Sequence, residues 1–142
     1  KYADAFGAIV ALSSALISEE APERKDNDGF FIGTRDYAEA CFGDLTKLIG
    51  SDMDPKYLAK ELVTENKSLP AIYMACGFDD SLLPLNDAMA AYLNDLGISV
   101  TYKKGPGAHE WFFWDTYVKD AIYNWLPLKT TGMGVNSGNV GQ

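Results

Sequence analysis

The sequence predicts an α/β protein, and three observations carry that reading. Phe6 to Leu12 and Ala71 to Cys76 are continuous apolar runs without alternation, the pattern of strands covered on both faces. Ile98, Val100 and Tyr102 alternate with Ser99, Thr101 and Lys103, the half-exposed pattern of a strand at a sheet edge. Segments of helical spacing separate and follow these strands, so the order strand, helix, strand, helix implies a parallel sheet with helices on both faces and right-handed crossovers.

Taken in order, the first strand stops at Ser13-Ser14. From Ile17 to about Gly50 the pattern breaks into charged and Gly-containing pieces, including Glu23 to Gly29 and then Phe30-Phe31-Ile32. Tyr37, Ala38, Cys41 and Phe42 have helical spacing, as do Leu45, Leu48 and Ile49, with Gly43 and Gly50 as stops. This excursion should form short helices and loops over the sheet edge without adding a strand. Asp54 before Pro55 caps a helix expected to run to about Val63. Gly77 ends the middle strand. After Pro84, Leu85, Ala88, Met89, Tyr92, Leu93 and Leu96 fall on one stripe, with Asn86, Asp87, Asn94 and Asp95 opposite and Gly97 as the stop. Lys103 and Lys104 then guard the edge strand against further pairing. Trp111, Trp114, Val118, Ala121, Ile122 and Trp125 make a last stripe, closed by Pro127. The reading is one domain over 1–128, with 17–66 a cap-like excursion and connecting helices, and a flexible tail or linker of Gly, Ser, Thr and Asn over 129–142.

Strand edges add a further expectation. Three strands in a row leave two edges, yet only the third strand reads as one, so a partner strand is expected before Lys1.

Composition narrows the function classes. The chain has 142 residues, 47% hydrophobic and 13% aromatic, enough for one globular core. A net charge of −8 with no run of Lys or Arg disfavours a nucleic acid or an anionic membrane as partner. Cys41 and Cys76 lack metal spacing and are too few for a disulfide framework. Neither a metal nor another cofactor is therefore expected. The longest apolar run is too short to span a bilayer.

Chemistry near neutral pH should centre on His109, the only histidine, which Gly105-Pro106-Gly107-Ala108 sets in a strand-to-helix turn. In an open parallel sheet the functional crevice lies beyond the carboxyl ends of the strands. Gly77-Phe78-Asp79-Asp80 follows the middle strand and His109 follows its neighbour, so an acid and an imidazole can meet there. Either Asp79 or Asp80 could supply the carboxylate, which would fix the imidazole tautomer and stabilise the imidazolium.

Together, Ala75-Cys76-Gly77-Phe78-Asp79-Asp80-Ser81-Leu82-Leu83 and Gly107-Ala108-His109-Glu110-Trp111 with Trp114-Asp115 resemble the C-terminal half of the esterase D-like α/β-hydrolases. That family includes tributyrin (acetyl) esterases, feruloyl esterases and S-formylglutathione hydrolases. Phe6 to Ser14 is similar to the strand after the family's nucleophile helix. The resemblance covers about Lys1 to Leu126 and is weakest between Ile17 and Gly50. It implies the C-terminal part of an α/β-hydrolase fold, three mainly parallel strands whose N-terminal companions are missing, with small-molecule esters as substrates. On the family's Gly-x-x-Asp-x-Leu pattern the catalytic acid falls on Asp80, and His109 takes the general base. Trp111 and its aromatic neighbours would wall the acyl or alcohol pocket, or pack as core.

The family's G-x-S-x-G elbow does not occur in these residues. Ser13-Ser14 lacks flanking glycines, and Gly134-Val135-Asn136-Ser137-Gly138 has Asn where the serine belongs. The expected parent is thus a serine carboxylesterase, with this chain inactive alone and prone to self-association. The alternatives are a binding or interaction module of hydrolase-like fold, and a peptidase or acyltransferase on that fold.

Overall fold

The computed structural model describes residues 5–26 and 33–128. Phe30-Phe31-Ile32 and the 129–142 segment, with its Gly134 to Gly138 motif, lie outside the described residues. Strands β1 (Ala8–Leu12), β2 (Ala71–Gly77) and β3 (Val100–Gly105) form one parallel sheet in that order. Leu12 is level with Ala75, and Gly77 with Gly105, so the carboxyl ends of the strands line up along one edge.

Among the described residues four α-helices accompany the sheet: α1 (Arg35–Phe42), α2 (Pro55–Thr64), α3 (Leu83–Asp95) and α4 (Trp111–Asp120), the last continuing as a π-helical turn over Ala121–Trp125. The two faces of β2 carry separate cores. Met74 packs with Ala59 of α2 and with Met89, Ala90 and Leu93 of α3, while Tyr73 and Ala75 pack with Phe113 and Ala121. Helices thus cover both faces, as successive side chains of a strand point opposite ways. Lys103 and Lys104 repeat this split, pairing with Asp120 at 2.6 Å and with Asp87 at 3.1 Å. They act as ties to helices on either side as well as edge charges.

Within the excursion, short 3-10 turns at Ala21–Glu23 and Leu45–Lys47 flank α1, and there is no strand among the described residues. Ala21, Ala38, Leu45 and Leu48 bury against one another with Phe42 alongside, so it packs on a small core of its own and not simply on the sheet edge. Thr34 caps α1 through its hydroxyl, and Asp54 caps α2 while also accepting from Gly50 N–H and Ser18 Oγ.

Three expectations need correction. β1 is not covered on both faces: Ile9 is 44% and Val10 37% exposed, and on the Ile9 side α2 leaves an open apolar cleft against the strand. On α3 the buried stripe is Asn86, Met89, Ala90 and Leu93, so Asn86 belongs to the inner face and Ala88 to the outer. On α4 the inner face is Phe113 and Ala121, with Trp114, Tyr117 and Trp125 beside them, whereas Val118 and Ile122 are exposed and Trp111 is 81% exposed. Aromatic residues stand on both sides of this segment, Trp111 and Phe112 outward and Phe113 inward, so apolarity alone cannot choose the face.

Candidate functional site

The site is built where two glycine-bearing loops touch. Phe78 N–H donates to Gly105 O and Asp79 N–H to Gly107 O, continuing the β2–β3 ladder past the strands. This approach requires a glycine at position 77, where a Cβ would stand 2.1 Å from Gly107 O. Gly107 has φ +126°, a backbone region L side chains rarely adopt, and it turns the chain so that His109 faces back over the β2 loop.

Asp80 and His109 meet: Oδ2 of the acid lies 3.1 Å from Nδ1 of the ring. Asp79 is exposed and points elsewhere. The Asp80 carboxylate is fully buried while the His109 ring is 51% exposed, so one partner is fixed inside the protein and the other reaches out of it. Asp80 Oδ1 accepts from Leu82 N–H at 2.9 Å. Burial pushes the Asp80 carboxyl up, but the Ser13 hydroxyl, the Leu82 N–H and His109 outweigh it, so the group titrates below the usual carboxylate range. Asp80 is therefore ionised at neutral pH and can only accept, which places the proton of neutral His109 on Nδ1 and leaves Nε2 as a basic lone pair. That arrangement can take a proton from a nearby hydroxyl.

Around the pair, Trp114 packs edge-on against the His109 ring with centroids 4.9 Å apart, and Trp111 packs edge-on against Trp114 at 5.1 Å. Trp111 itself is largely exposed. Among the described residues no group of His, Cys, Asp and Glu could hold a metal ion.

Two residues that sequence reasoning passed over support the acid. Asn86, completely buried, accepts from Ser14 N–H and donates to Ser14 O and Leu82 O. It ties the end of β1 to the residue whose N–H holds Asp80. Ser13 is buried with φ +47°. The sequence signal available was a polar residue at the first turn of α3, but its Ser14 partners lie 72 residues away.

No protein-family model matches the chain. It is 42% identical over 126 residues to an acetyl esterase of Caldicellulosiruptor saccharolyticus, an alignment taking in 89% of this chain and 47% of the esterase. The crystal structure of an S-formylglutathione hydrolase from Staphylococcus aureus superposes with a TM-score of 0.67 at 30% identity, over 82% of this chain and 43% of that one. The substrate-bound fluorophosphonate-binding serine hydrolase F of the same organism gives the same values. A ferulic acid esterase shares the fold, with a TM-score of 0.52 at 24% identity over 84% of this chain and 42% of that one. The chain thus spans about half the length of the proteins it matches, and it carries the fold of the C-terminal part of an esterase-like α/β-hydrolase.

Proposed function

We propose that this chain is the acid and base half of a serine carboxylic ester hydrolase. In this reading Asp80 is the orienting acid and His109 the general base. The nucleophilic serine and the oxyanion donors come from protein outside these 142 residues. The observation that carries the reading is the 3.1 Å contact between a fully buried carboxylate and a half-exposed imidazole at the carboxyl edge of a parallel sheet.

With a serine hydroxyl against Nε2, His109 takes its proton as the oxygen attacks the ester carbonyl, and Asp80 stabilises the imidazolium. The imidazolium then gives that proton to the departing alkoxide, leaving an acyl-serine and an alcohol. In the second half a water loses its proton to His109 and attacks the acyl carbonyl. The serine oxygen leaves with the proton returned, and a carboxylic acid is released. Small-molecule esters are the substrate class, as the names of the acetyl esterase and ferulic acid esterase suggest. Trp111, exposed and packed edge-on against the Trp114 that borders His109, would line the acyl or alcohol site. The 17–66 segment would act as a cap over it, 1–128 as the hydrolase portion, and 129–142 as a tail.

The test is p-nitrophenyl acetate turnover. The chain alone should hydrolyse no more than its His109→Ala variant, because triad members act as a unit. The same chain joined to its upstream coding sequence should show turnover that His109→Ala abolishes. Histidine-dependent turnover by the chain alone would overturn the proposed division of the site.

A further inference from the structure

Ser13 combines two features that a strand-ending serine does not need. Its backbone is left-handed, with φ +47°, a conformation uncommon outside Gly, Asn and Asp. Its hydroxyl is buried and makes no hydrogen bond among the described residues. Such strained backbones persist where the surroundings hold them in place. Here the holding is visible: Ser13 N–H donates to Ala75 O at 2.8 Å, and buried Asn86 grips both backbone polar groups of Ser14. The turn is clamped on both sides of the Ser13 side chain.

Ser13 lies beside the Ala75–Cys76 end of β2, and Asn86, which grips Ser14, also binds the carbonyl of Leu82, whose N–H holds Asp80, so the acceptors around that hydroxyl are the Asp80 carboxylate and the Cys76 thiol. Burial, then the nearby Asp80 charge, pushes the thiol up to about 11, so it is a neutral sulfur and a weak acceptor. A buried hydroxyl must bond or lose its hydration uncompensated, and an ionised carboxylate is the stronger acceptor. The ionisable groups facing Asp80 are then His109 on one side and Cys76 on the other.

Resting on the acid and base reading above, we propose that Ser13 is a positioning residue for Asp80. In that role its hydroxyl donates to the carboxylate and, with the Leu82 N–H, keeps Oδ2 aimed at His109. Ser13 touches no reacting atom in this role.

The single histidine makes the test direct, because its ring signals in the NMR spectrum need no assignment among others. Asp80 titration is followed through those signals, over acid pH, in the unaltered chain and in Ser13→Ala, Ser13→Gly and Asp80→Asn variants. Asp80→Asn should remove the acid step altogether. Ser13→Ala and Ser13→Gly should each raise its midpoint by roughly one pH unit, the scale of a hydrogen bond to a charged group. Glycine relieves the positive φ, so a role confined to backbone shape predicts a shift in Ser13→Ala alone. That result, or an unmoved midpoint in both variants, overturns the proposal while leaving the pair intact. Persistence of the step in Asp80→Asn would instead show that Asp80 does not govern His109, and the reading beneath would fail with it.

Discussion

Asp79 and Asp80 are chemically identical neighbours, and only backbone geometry separates them. Asp79 N–H is spent on Gly107 O with its side chain outward, while Asp80 turns inward to Leu82 N–H and His109. In the complete enzyme proposed above, Asp80→Asn should therefore lower kcat by about 10⁴-fold through the wrong imidazole tautomer. Asp79→Asn should stay within about twofold of the unaltered enzyme, as an exposed substitution does. Steady-state kinetics on the pair decides between them, and equal losses would remove the distinction. This part of the site was legible because both groups directly follow strands, where order along the chain and position in the sheet coincide. Asn86 and Ser13 were not legible. Asn86 sits where a helix normally shows its polar side, and nothing local reveals that its amide is needed by backbone groups 72 residues away. Ser13 reads as a simple strand stop, because a positive φ at serine has no sequence signature.

At the scale of elements, what aims the loops is the close approach of β2 and β3 beyond their strands. A Cβ at Gly77 would meet backbone, the carbonyl of Gly107 at 2.1 Å, whereas one at Gly105 would meet the far end of a side chain, Tyr117 Oη at 2.0 Å. Backbone cannot swing away, so Gly77→Ala should cost on the order of 3 kcal/mol and separate Asp80 from His109. Gly105→Ala should cost about 1 kcal/mol, because Tyr117 can shift along the Phe113 ring on which it stacks. Urea midpoints give the ranking, and the His109 ring signals report whether the pair survives. A Gly77→Ala chain as stable as the parent would contradict this account. α4 is tied down separately: Asp120 Oδ2 accepts from Lys103 Nζ and from Tyr73 Oη, both at 2.6 Å, and its Oδ1 from Asn124. The Lys103 ammonium, then Tyr73 and Asn124, lower the Asp120 carboxyl from 3.8 to about 2. A folded value below the unfolded one contributes stability that is present above pH 3.8 and is lost as pH falls through about 2. Asp120→Asn should accordingly flatten the loss of stability between these limits in acid titrations of the unfolding midpoint. An unchanged slope would mean that the cluster adds nothing to folding. Strands and helix ends were legible because Gly, Pro and Asp punctuate them. Helix faces were less so: on α4 aromatic residues stand on both sides, Phe113 buried and Trp111 and Phe112 exposed, so the apolar pattern does not choose between them.

For the molecule as a whole, the open question is how β1 behaves. An apolar strand at the border of a sheet carries unpaired N–H and C=O groups along its free edge, and short apolar edges without charge invite pairing with another chain. β1 fits that description. It pairs on one side only among the described residues, contains no charged residue, and exposes Ile9 and Val10 to opposite faces. On the Ile9 face an apolar cleft of about 260 Å³ runs between the sheet and α2, lined by Ile9, Ala11, Leu58, Leu62 and Ile72. β3 differs, because Lys103 and Lys104 place charge at that border. The chain by itself should therefore self-associate through β1. Size-exclusion chromatography with light scattering should give a mass above that of the 15.5 kDa monomer, falling as the sample is diluted. Val10→Lys puts a charge on the strand and should shift the population toward monomer. The exposed aromatic pair Trp111 and Phe112 offers a rival sticky surface on α4. A Trp111→Ser, Phe112→Ser double variant separates the two: association through β1 survives it, whereas association through the aromatics does not. A monomer at every concentration, with no response to Val10→Lys, would mean that the β1 border is satisfied within the chain itself, and the expectation of a partner strand before Lys1 would lose its physical basis.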